Sequence, residues 1–252
     1  METRFLSNWE AFENVVASKR RYAAKNPVWK LLFGGQSCAS SWKLQTTLER
    51  HSSKQFTVDD YYQRVLRIKP RVESHFRKRW DLPTDCPKPL SDECWNYLVH
   101  LRHHGFPSPL LDWSQSEDIA AFFAFREPLK PKQNVAIFLY VEYPTGIKTF
   151  HPDGPTIITP KCNVSSVSRH VNQKTMYTIC LMESNGQFCS HEDVFLKNVR
   201  GQDLLIKYVI PGSERNKVLT NLHSRGISPL FLLESDESFM ETIALEEIDL
   251  HT

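Results

Sequence analysis

The run Asn134-Val135-Ala136-Ile137-Phe138-Leu139-Tyr140-Val141 leaves a chain like this few ways to fold. It is apolar at odd and even positions alike, so a strand built from it has no face for water and must lie inside a sheet covered on both sides. Just upstream, Ile119-Ala120-Ala121-Phe122-Phe123-Ala124-Phe125 forms an apolar stretch whose alanines let a helix over 116–126 lie close against such a sheet. Leu204 to Ile210, closed by Pro211, is a second strand, and Trp29 to Phe33, running into Gly34-Gly35-Gln36, a third. The expectation is helix 116–126 packed on a central sheet containing 134–142 and 204–210. At 252 residues, with no repeat or low-complexity linker, the chain reads as one α+β domain over 1–252. Its central mixed sheet is surrounded by helices, and 1–28 is a helical N-terminal extension.

Local signals set the other elements. Ser7-Asn8-Trp9-Glu10 reads as a capping box opening a helix through Trp9, Phe12, Val15 and Val16, and Thr57-Val58-Asp59-Asp60 opens another through Tyr61, Tyr62 and Val65. Pro70 is expected to kink or divide that second helix, and Asp81 to Pro89 to be an exposed connector. Ser91 starts a helix that Gly105 ends. Tyr143 to Pro160 reads as loop, 165–172 as a short helix, 176–180 as a strand, 213–226 as a helix, and 239–248 as a final amphipathic helix.

Composition excludes more than it assigns. With 31 Lys plus Arg against 29 Asp plus Glu, the net charge of +2 gives no global pull toward nucleic acid or an anionic membrane. The basic cluster Arg64, Arg67, Lys69, Arg71, Arg77, Lys78 and Arg79 reads as a solvated face, with a nucleic-acid contact as the minority reading. No apolar run reaches the ~18 residues of a membrane span. The six cysteines form no C-x-x-C pair and no leader pattern opens the chain, which points to reduced thiols in a cytoplasm. There is no G-x-S-x-G, P-loop or H-E-x-x-H signature.

The chemically richest stretch is His103-His104-Gly105-Phe106-Pro107-Ser108-Pro109-Leu110-Leu111-Asp112-Trp113-Ser114. Two prolines stiffen it, so it reads as a loop holding polar groups in fixed geometry between two helices. The plainer reading is a helix corner in which Asp112 or Ser114 caps the next helix and Trp113 plugs the core. His100, His103 and His104 share helical spacing that permits a zinc site, though no carboxylate or cysteine stands at ligand spacing, so no metal is assigned. Gly34-Gly35 admits a turn, the commoner explanation, or a close approach of backbone to a neighbour.

Phe33-Gly34-Gly35-Gln36, Trp42-Lys43-Leu44 with Arg50, the His-His-Gly to Leu-Leu-Asp-Trp-Ser block, Ala121-Phe122-Phe123-Ala124, and Arg169, Gln173 and Tyr177 occur in an order that resembles the FRG domain family from Trp29 to the C-terminus. That family is named for an F-R-G motif, and its central block usually reads H-x-G-x-P-T-R-L-L-D-W-T. Here Gly34 and Pro109 stand where the family has arginines. The layout is also similar to that of ADP-ribosyltransferase folds, which implies an NAD-dependent transferase, a bacterial or phage toxin or defence effector with NAD as co-substrate and a macromolecular acceptor. On that resemblance His104, Asp112 and Trp113 are the catalytic candidates, and Gly34, Gly35, Gln36, Arg50, His103, Ser114 and Gln173 contact the dinucleotide. The catalytic glutamate has no assigned position, Glu183 and Glu192 lying in the right third of the chain. The alternative is a non-catalytic binding module with an altered pocket, and a third reading, a His/Asp metal hydrolase or nuclease, rests on His100, His103, His104 and Asp112. The residues Gln36, His104, Asp112 and Trp113 are expected to line one cleft.

Overall fold

The computed structural model describes residues 1–40, 43–144, 154–160, 162, 168–196 and 203–250. The chain runs β1 (Glu2–Phe5), α1 (Trp9–Lys25), β2 (Leu31–Gln36), α2 (Thr47–His51), α3 (Val58–Phe76), α4 (Asp92–His103), β3 (Leu111–Ser114), α5 (Glu117–Phe125) and β4 (Asn134–Glu142). It continues through β5 (Pro155–Ile158), α6 (Ser168–Asn172), β6 (Thr175–Met182), α7 (Asp193–Leu196), β7 (Asp203–Pro211), α8 (Arg215–Ser224), α9 (Pro229–Leu233) and α10 (Asp236–Ala244), which ends in a π-helical turn, Leu245–Asp249.

The seven strands form one mixed sheet in the order β1-β7-β4-β2-β3-β6-β5. Among the described residues only the β1 pairing with β7 is parallel; the other pairs are antiparallel. The period of two along β4 explains the layering. Val135, Ile137, Leu139 and Val141 face a core completed by α1, α5 and α8, whereas Ala136, Phe138 and Tyr140 face a second core with Trp113, Leu44 and Val194. A third core joins Tyr61, Tyr62 and Val65 of α3 and Tyr97, Leu98 and Val99 of α4 to Tyr177 and Ile179 of β6. β4 is thus the doubly covered strand its sequence requires, with α5 on the sheet beside it.

Several local expectations are corrected. The glycine pair makes no turn: Gly34 and Gly35 lie inside β2, opposite Phe138 and Ile137 of β4. A Cβ on Gly35 would fall 1.9 Å from the Ala120 carbonyl oxygen, so close approach of α5 demands this glycine. α1 is capped by Asn8 and not by Ser7, the Asn8 side chain accepting from the Ala11 amide, and the carboxylate at this end is Glu214 and not Glu10, accepting from the Trp9 amide at 3.0 Å. α3 continues across Pro70 because Ile68 and Val72, on either side, pack against the same third core. The C-terminal half of the expected central loop is strand β3, and the expected loop 143–160 contains β5, with 145–153 outside the described residues. The helix expected at 165–172 starts at Ser168, 163–167 lying outside the described residues, and the last helix starts earlier, at Asp236. Among the described residues no helix is long and apolar enough to cross a membrane, and all six cysteines are thiols.

Candidate functional site

A cleft of about 560 Å³ opens where the glycine end of β2 meets β3, the first turns of α5 and the end of α4, with α2 and α6 on its rim. Its volume lies in the range of small-molecule sites. β2 supplies Gly34, Gly35 and Gln36; β3 supplies Asp112, Trp113 and Ser114; α4 supplies Arg102 and His103; Arg50, Arg169 and Gln173 complete the wall. His104 lies elsewhere. One residue further round α4 than His103, it turns toward α3, with its ring 4.2 Å from Phe76 and 4.4 Å from His100. That step of one residue also separates His100 and His104 from His103, and among the described residues no group of three His, Cys, Asp or Glu is placed to hold a metal ion.

Neither Asp112 nor Ser114 caps α5 from the Ncap position, which belongs to Ser116. Asp112 accepts from Arg102 at both carboxylate oxygens, Nε donating to Oδ1 at 2.9 Å and to Oδ2 at 3.1 Å and Nη2 to Oδ2 at 2.6 Å, and Arg102 Nη1 donates to Thr47 Oγ1. This bidentate pair ties β3 to α4 and α2. Ser114 Oγ accepts from the Ser116 amide at 3.0 Å and donates to the Gln173 carbonyl at 2.7 Å, joining the cleft floor to the α6–β6 connection. Trp113 is held on two sides: it stacks on Tyr140 at 5.5 Å, and its indole N–H donates to Thr178 Oγ1, itself bonded to His191. A Cβ on Gly34 would stand 3.3 Å from the Trp113 ring, so a side chain at position 34 would project along that ring into the cleft. Pro109 is buried and does not line the cleft.

The cations of the cleft fall into two kinds. Arg102 is neutralised by Asp112, and Arg126 by Glu241 through bonds of 2.5 and 2.6 Å. The side chains of Arg50 and Arg169 make no hydrogen bond or ion pair with the described residues. Two buried polar atoms on the wall, Gln36 Oε1 and Thr175 Oγ1, also lack partners among the described residues. Behind the wall, His103 Nε2 and the Tyr177 hydroxyl are 2.5 Å apart, and that hydroxyl is 3.2 Å from His170 Nδ1. Burial depresses both imidazoles to a pKa of about 4, the neighbouring His170 adding to the effect on His103. Burial also raises the Tyr177 phenol far above its ordinary value, with Asp112 adding to it.

Sequence reasoning missed Arg102, Arg126, Arg169 and Glu127 as cleft residues. The spacing of Arg102 and Asp112, ten apart across a turn, carries no local signal, and Arg169 reaches the cleft only through the β3 and β6 pairing. Glu183 and Glu192 do not line the cleft, and Glu192 accepts from the Leu44 amide at 2.9 Å.

A sheet covered on both faces, with a cation-rich cleft at the glycine end of one strand, defines a mixed α+β domain. Residues 29–133 match the family model of the FRG domain. The match starts where the resemblance starts, at Trp29, and stops before β4, so the arm of the cleft carrying Arg169, Gln173 and Thr175 lies beyond it. No curated protein and no solved structure matches the chain.

Proposed function

We propose that this chain is a binding module for an anionic, phosphate-bearing small molecule of the nucleotide or dinucleotide class, NAD among them, held in the cleft between β2 and β3. The observation that carries this reading is the pair of arginines, Arg50 and Arg169, which have no partner among the described residues on a wall where the other arginines are already paired. A free guanidinium there is a ready bidentate contact for phosphate oxygens. The rings of Phe123 and Trp113 on the wall suit an aromatic base, and the Gln36 and Thr175 oxygens, without partners among the described residues, are the kind of groups a polar ligand satisfies. Loss of arginine at Gly34 moves the cationic contact to Arg50 and Arg169 rather than abolishing it. Adding NAD, ADP-ribose or inorganic pyrophosphate to the full chain should raise its Tm, since a ligand of the native state must do so. No shift with any of the three would overturn the reading.

A transferase on the same cleft is the second reading, that of an ADP-ribosyltransferase-like toxin or defence effector modifying a macromolecular acceptor. It needs a carboxylate to stabilise an oxocarbenium-like charge. Asp112 is committed to Arg102, which argues against it in that role, whereas Glu127 is 65% exposed at the cleft rim. Release of nicotinamide from NAD that stops in Glu127→Gln, with NAD binding retained, would select this reading; NAD bound without turnover would select the module.

A further inference from the structure

His103, Tyr177 and His170 form a hydrogen-bonded chain whose outer end, His103, lines the cleft. Tyr177 contributes one hydroxyl proton and stands between two imidazole nitrogens, so only one can receive it. If Tyr177 donates to His170 Nδ1, His103 carries its proton on Nε2 and leaves a lone pair on Nδ1. If Tyr177 donates to His103 Nε2, the His103 proton sits on Nδ1 and that atom becomes a donor. Both imidazoles are held neutral by burial, so passing from the first arrangement to the second reverses both hydrogen bonds of the chain, with a proton taken up at His103 Nδ1 from solvent or ligand and one released from His170 Nε2. His103 Nδ1 has no partner among the described residues and is not among the buried orphaned atoms. The contact it offers is therefore acceptor or donor as the ligand requires.

Resting on the binding reading above, we propose that this chain makes His103 the contact that selects a ligand carrying a hydroxyl beside its anionic group, a sugar phosphate of the nucleotide type rather than a bare phosphate. A hydroxyl both donates and accepts, and pairs with either arrangement; a bare phosphate, already met by Arg50 and Arg169, gains little from it. A chain built only to staple β6 to α4 and α6 would hold the fold equally well and carry no such preference. Tyr177 and His170 do not line the cleft and act here as positioning residues, through His103.

The test is calorimetric titration of the full chain with ADP, 2′,3′-dideoxy-ADP and inorganic pyrophosphate. ADP should bind at least about tenfold more tightly than its dideoxy analogue, the cost of leaving a polar contact unmade. His103→Leu should bring that ratio to about one, and Tyr177→Phe should lower it while leaving pyrophosphate affinity unchanged. If Tyr177→Phe does not fold, His170→Phe breaks the same chain while keeping a ring in its place. Equal affinity for ADP and its dideoxy analogue in the wild type, or a ratio that survives both His103→Leu and the broken chain, would overturn the inference and leave the binding reading standing. Failure of ADP and pyrophosphate alike to bind would overturn both.

Discussion

Gly35 has room for hydrogen alone, because α5 brings the Ala120 carbonyl to 1.9 Å from where a methyl would sit. Gly35→Ala should therefore cost at least about 1–3 kcal/mol as overpacking forces β2 and α5 apart. Gly34→Ala, which meets only the Trp113 ring edge at 3.3 Å, should cost less. Urea unfolding of the two variants gives the order directly, and the reverse order would mean that β2 does not sit under α5 as described. Asp112 is the second residue with a definite energy attached. Its partner Arg102 is only 12% exposed, so Asp112→Asn leaves a largely buried guanidinium without its counter-charge and should cost about 1–3 kcal/mol. An unchanged urea midpoint would show that the pair contributes nothing. These two roles were only half visible in the sequence. The stiffness around Asp112 and the glycine pair singled out the right segments, but the turn reading of Gly34-Gly35 and the capping reading of Asp112 both failed, since each is decided by a partner distant in the chain or across a turn.

At the level of elements, β4, β7 and α5 were legible because their apolar pattern has one solution. β3 was not: it is short, it follows two prolines, and its alternation of buried Leu111, exposed Asp112 and buried Trp113 spans too few residues to stand out. The α1 cap was legible only in part, because the carboxylate that accepts from the Trp9 amide comes from Glu214, 205 positions away. The packing of α4 and α6 on β6 carries a pH consequence. His103 and His170 have their pKa lowered by burial to about 4, and the fully buried His191 to about 3, against about 6.5 when unfolded. The unfolded chain therefore takes up more protons than the folded one as the pH falls from about 6.5 toward about 4, so this stability is present above the unfolded value and is lost through that window. Tm should fall steadily over it, and less steeply in His191→Gln, which removes one of the buried imidazoles. A Tm flat from pH 7 to 4 would contradict the burial of these side chains.

On the scale of the whole molecule, charge is organised as two separate features. The basic residues of α3 and the segment after it are mostly exposed, with Lys69 bridged to Glu73 at 3.0 Å and Arg64 lying over Phe56. Any affinity for DNA should be weak and fall steeply with salt, as binding through counterion release does. Filter binding that persists at high salt would refute a merely solvated face. The cleft is the other feature. It gathers Gly34, Arg50, Asp112 and Arg169 from segments far apart in the chain, and the sequence exposed most of its residues only as members of resembling blocks, not as neighbours. His104 shows the limit of that kind of reading: it sits beside His103 in the chain and faces α3 in the fold. What binds the account together is that Arg50 and Arg169 have no partner among the described residues. It is tested most directly by calorimetric titration of ADP-ribose into the wild type and into the Arg50→Gln/Arg169→Gln double variant, with folding of both checked by thermal unfolding. The expected result is saturable binding by the wild type and at least about a hundredfold loss in the double variant, each charge-assisted contact being worth about 1.5–3 kcal/mol. A wild type that does not bind, or a double variant that binds equally well, would contradict the account.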